Sequence, residues 1–74
     1  MKKREKEEDH RTYLSTSGGR YRVIHQAIPI SPDRETASEA LLAARHFGLK
    51  IADRAWDGDA GHFVPLETVV RRSR

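Results

Sequence analysis

Arg20, Arg22, Lys50, Arg54 and Trp56 are spaced so that one surface could carry them all. Side chains alternate between the two faces of a strand. If Leu49 and Ile51 turn toward a core, Lys50, Arg54 and Trp56 turn away from it. If Tyr21 and Val23 turn inward, Arg20 and Arg22 join the outward set. Four cations and one indole on one open surface suit contact with phosphates and stacking on bases. Arginine supplies ten of the 14 basic residues, and its planar guanidinium makes the bidentate contacts that phosphate accepts. Arg71, Arg72 and Arg74 add basic charge at the C-terminal end, and Lys2, Lys3 and Arg4 at the other. The plainer reading is an ordinary solvated sheet face, on which Arg and Lys also discourage edge pairing.

Other chemistries find less to work with. Cysteine is absent, which removes thiolate catalysis, disulfides and thiolate zinc sites. No serine lies in a G-x-S-x-G elbow. The histidines His10, His25, His46 and His62 show no i, i+4 pairing of the helical zinc type. Asp57, Asp59 and His62 crowd one short stretch, but the pattern lacks the later ligands of a calcium loop. Asp57-Gly58-Asp59-Ala60-Gly61 reads instead as turn chemistry. Ser17-Gly18-Gly19-Arg20 is glycine-rich without the spacing of a nucleotide-binding loop, and it joins two strand-like runs. His25 on a strand reads as a half-buried, hydrogen-bonded residue. No catalytic residue, metal ligand or cofactor is therefore expected.

These residues must be positioned by a chain of 74 residues and 8.5 kDa, enough for one small domain. A chain of this size buries only about 60% of the surface it exposes when unfolded, so its core is thin. The formal net charge is +3, modest enough that nucleic-acid binding would require clustering on one face. The opening run MKKREKEEDH continues with charge where a signal peptide turns apolar, and no stretch approaches the length of a membrane span. The expected location is the cytoplasm.

Residues 1–11 carry mixed charge and form an expected flexible tail; 12–70 form the expected domain and 71–74 a basic tail. Thr12–Thr16 and Arg20–Ile30 read as two strands joined at Ser17-Gly18-Gly19. Pro29 cannot donate to a ladder and should mark an edge or an end of pairing. Residues 31–48 carry the helix, starting near 32 or near 36, because Thr36-Ala37-Ser38-Glu39 has capping-box spacing. Ala37, Ala40, Leu41, Ala44 and Phe47 form its apolar stripe, small enough for close approach to a sheet. Gly48 fits a left-handed C-terminal position. Leu49–Trp56 and His62–Leu66 read as a second hairpin, and Glu67–Val70 as its continuation rather than a terminal helix. The expected fold is α+β in the order β-β-α-β-β: one helix on one face of a small, mostly antiparallel sheet of three or four strands.

The leading functional expectation is a small non-catalytic nucleic-acid-associated module. Its basic sheet face would use Arg20, Arg22, Lys50, Arg54 and Trp56, with Arg71, Arg72 and Arg74 as flexible basic ends. The alternative is a protein-interaction module, an accessory, inhibitor or regulator, that docks by its open face or edge and can pair as a homodimer. There Trp56, Tyr13 and Tyr21 would be anchors. Neither a membrane nor a small-molecule substrate is expected.

Overall fold

A computed structural model describes residues 11–73. Among these residues seven elements follow one another: β1 (Thr12–Ser17), β2 (Arg20–His25), β3 (Ile28–Pro29), α1 (Ala37–His46), β4 (Arg54–Asp57), β5 (His62–Pro65) and α2 (Leu66–Arg72). The sheet is mixed and five-stranded, in the order β3-β2-β1-β4-β5. The α+β class is as expected; the extra strand, the second helix and one parallel pairing are not.

The first hairpin forms because Gly18 and Gly19 both take positive φ, 58° and 77°. That two-residue turn follows the strands' own twist. It sets Ser17 opposite Arg20 and Leu14 opposite Val23. The expected long strand over 20–30 breaks at Gln26 and Ala27, which take φ of 52° and 68°. A second two-residue turn results, and β3 folds back on β2 with Ile24 opposite Pro29. The chain then follows β2's outer edge. Ile30 N–H donates to Val23 O at 2.9 Å, and Ser31 Oγ accepts from Val23 N–H at 3.0 Å. Arg34 exchanges both backbone bonds with Tyr21. Pro29 and Pro32 lie in this covering segment, whose missing N–H groups make the edge a poor template for another strand.

The helix takes the later of its two expected starts. Thr36 is the N-cap, and its hydroxyl accepts from Glu39 N–H at 3.2 Å. Gly48 (φ 68°) closes it: Gly48 N–H reaches Arg45 O and Leu49 N–H reaches Ala44 O, the two bonds of a Schellman motif. Ala37, Ala40 and Ala44 are fully buried against the sheet. Phe47 departs from the expected stripe; it is the C-cap, where the helix has ended, and 59% of it is exposed.

The expected strand over 49–56 shrinks to Arg54–Asp57. Before it the chain runs irregularly, with Ala52 N–H donating to Thr12 O at 2.9 Å. Strand β4 lies parallel to β1, because α1 carries the chain across β1 to its free side. Residues 66–72 form a helix, not a strand ending. Its Glu67 and Arg71 pair at i, i+4, and Val69 is buried in the core, a placement a continued strand would not give. Both helices pack into one core of Leu14, Val23, Ala37, Ala40, Ala44, Ala55 and Val69, so they cover one face of the sheet. They are also tied directly, since Ser73 Oγ accepts from Ala37 N–H at 3.1 Å.

Candidate nucleic-acid interface

The sheet face opposite the helices is built by alternation. Along β1, Thr12, Leu14 and Thr16 are buried toward the core, and Tyr13, Ser15 and Ser17 point the other way. In β2 the outward set is Arg20, Arg22 and Ile24; in β4 it is Arg54 and Trp56. The register aligns these positions across the sheet. Arg22 lies opposite Ser15, Ser15 beside Trp56, and Trp56 opposite Phe63. Arg20, opposite Ser17, lies two residues along to one side of this row, and Arg54, opposite Pro65, two residues along to the other.

Three rings group on one side of the face, from β1, β4 and the edge strand β5. Phe63 meets Trp56 with ring centroids 5.2 Å apart and Tyr13 at 5.4 Å, both edge to face. Such contacts add about 0.5–1.5 kcal/mol each beyond burial and hold the rings in place. All three remain half-buried, so a partner could still reach them. Phe63 was not among the expected site residues. Its position was nonetheless readable: a turn over 58–61 sets Asp57 opposite His62, and so Trp56 opposite Phe63.

The cations beside them differ in availability. Arg22 Nε lies 3.3 Å from Asp33 Oδ1, with both side chains about half exposed (44% and 50%). An exposed pair of this kind is worth only about 0–1 kcal/mol and exchanges readily. Arg20 and Arg54 are exposed and hold no ion pair among the described residues. The other basic residues expected here lie elsewhere. Lys50 is exposed in the connection before β4, because the strand begins five residues later than expected. Arg71 sits on α2 and binds Glu67 Oε2 at 2.7 Å. Arg72, in the same last turn, binds the buried Asp57 carboxylate at 3.1 Å on the helix-covered side. Arg71 and Arg72 thus belong to a helix rather than a tail. Arg74 lies outside the described residues.

The Asp57 loop is a structural knot. Asp57 Oδ1 accepts from the N–H groups of Asp59 and Ala60, both at 3.1 Å, and Gly61 N–H donates to Asp57 O at 2.7 Å. The Ala60 N–H and the Arg72 guanidinium hold the Asp57 carboxyl below its ordinary value of 3.8, against the opposing effect of desolvation. Asp59 turns to the first hairpin and accepts from Gly18 N–H at 3.2 Å. The Gly18-Gly19 turn therefore already faces a carboxylate. His62 Nδ1 lies 3.1 Å from Phe63 O. Asp57, Asp59 and His62 thus serve three separate contacts, and no cluster of three His, Asp or Glu able to hold a metal ion occurs among the described residues. His25 is half-buried and shares a 2.7 Å hydrogen bond with Thr12 Oγ1.

A second apolar surface lies away from this face. Shallow grooves lined by Ile30, Leu42, Phe47 and Leu49 run between α1 and the segment after β3. Among the described residues no helix is long and apolar enough to cross a membrane. No protein-family model, curated protein or solved structure matches the chain.

Proposed function

We propose that this protein is a non-catalytic nucleic-acid-binding module of the cytoplasm, working through the sheet face opposite the two described helices. The observation that supports the reading is one surface that carries the ring cluster Tyr13, Trp56 and Phe63 with Arg20, Arg22 and Arg54 beside it. The guanidiniums neutralise phosphates, and each contact releases counterions. Lys50, Arg71 and Arg72 are left out of the mechanism because none of them belongs to a strand of this face: Lys50 precedes β4, and Arg71 and Arg72 sit on α2.

Salt tests it. Three phosphate contacts give a slope of log affinity against log salt of about −2 to −3, a loss of roughly 20- to 40-fold between about 50 and 200 mM. Arg54→Gln should remove about one contact's share of that slope. Asp33→Asn frees Arg22 and should tighten binding by up to about fivefold. An affinity that ignores salt, or an Asp33→Asn variant that binds more weakly, would sink the reading.

The same half-exposed rings support a second reading. Aromatic residues and Arg dominate protein hot spots, so a protein partner or a second copy could cover this face. That reading expects association to persist with rising salt, and sedimentation at two concentrations detects self-pairing.

A further inference from the structure

We infer that the nucleic acid recognised here is single-stranded, with its bases stacked on Tyr13, Trp56 and Phe63; this deepens the reading just given and rests on it. The rings cluster across β1, β4 and β5, and the cations stand beside them on β2 and β4. A duplex hides the faces of its bases and presents phosphates outward. It would satisfy Arg20, Arg22 and Arg54 and leave the three rings against a polar backbone. An unstacked strand satisfies both sets, because every base has a face to lay on a ring.

Geometry sets the footprint. The rings come from three adjacent strands, β1, β4 and β5, but lean together, with Phe63 5.4 Å from Tyr13 and 5.2 Å from Trp56. Such a compact cluster has room for about one or two bases. Selectivity among bases is weak, since the strand positions of this face carry no Asn, Gln, Asp or Glu to read base edges. Ser15, Ser17 and the Tyr13 hydroxyl are its uncharged polar groups.

Charge disfavours a second copy as the occupant. Twofold pairing brings the same patch of each subunit together. Arg20, Arg22 and Arg54 would then meet their own copies, and among the described residues Arg22 alone of the three holds an ion pair, with Asp33. An anionic partner that carries flat apolar faces meets no such repulsion.

Trp56 is the chain's one tryptophan, so its fluorescence reports this face alone. The wild-type protein would be titrated at low salt with oligo-dT and oligo-U of about eight nucleotides, and with a hairpin duplex of comparable charge. The expected result is tighter binding of the single strands, with quenching of Trp56. Phe63→Leu should then weaken single-strand binding by about 5- to 150-fold and leave duplex binding unchanged. The wild-type comparison stands even if that variant folds poorly. Equal binding of single strand and duplex without quenching would overturn this inference and leave the nucleic-acid reading in place. No binding of any of the three would overturn both.

Discussion

Two residues of the second turn, Gln26 and Ala27, carry a conformation that their side chains do not favour. Their φ values of 52° and 68° are the positive pair that a two-residue hairpin turn needs. For an L-residue the left-handed region costs about 1–2 kcal/mol, whereas glycine enters it freely. Glycine also loses more freedom on folding, by about 0.5–1 kcal/mol. The difference favours Ala27→Gly by about 0.5–1 kcal/mol, to be read from urea or thermal unfolding. No gain would mean that the turn relaxes its φ in solution. Gly58 is the opposite case, where space rather than φ decides. A Cβ there would stand 3.1 Å from Thr16 O and from Ser17 Cβ, and Gly58 N–H itself donates to Thr16 O at 2.7 Å. The first turn was legible because Gly18-Gly19 declares itself. The second was not, since neither Gln nor Ala signals positive φ, and so β3 was merged into the strand before it.

At the scale of elements, legibility follows locality. Helix α1 could be read from its own residues: Thr36 and Glu39 mark its start, Gly48 its end, and the alanines its buried face. The parallel pairing of β1 with β4 could not, because it depends on where α1 carries the chain. Helix α2 was hidden by its shortness and by Val69 and Val70, β-branched residues that read as strand. On the open face, Arg20, Arg22, Arg54 and Trp56 were legible by alternation within strands. Lys50 was misplaced because alternation was carried back through residues that are not strand. The contact between the helices was illegible for the same reason as the parallel pair. Ser73 ends α2 and accepts from Ala37 N–H, one of the donors left unpaired at the start of α1. Ser73→Ala leaves that donor without its partner and should cost about 1 kcal/mol in global stability. Hydrogen exchange should quicken at Ala37 and in α2. If Ala37 alone responds, the bond caps α1 without holding the two helices together.

For the molecule as a whole, the sheet separates two kinds of charge. On one side the helices and core enclose Asp57, only 6% of whose side chain is exposed, and Arg72 closes over it. On the other, Arg20, Arg22 and Arg54 stand toward solvent beside the rings. The enclosed pair joins the β4–β5 turn to the end of α2, so its protonation should be felt globally. The Asp57 carboxyl lies below its ordinary 3.8, first through the Ala60 N–H and then through Arg72. In the unfolded chain it binds a proton more readily than in the fold. Its contribution to stability is therefore complete above about pH 3.8 and drains away as the pH falls through the lower folded value. Asp57→Asn keeps an oxygen for the turn N–H groups but loses the charge that Arg72 attracts. The variant should be less stable than wild type near neutral pH, and the gap should narrow on the acid side of 3.8. Unfolding in urea across that range measures it. A gap that stays constant with pH would assign the role of Asp57 to the shape of the turn rather than to its charge. The proposed nucleic-acid binding should be unchanged near neutral pH in Asp57→Asn, because the residue lies on the helix-covered side of the sheet and the aromatic face on the other.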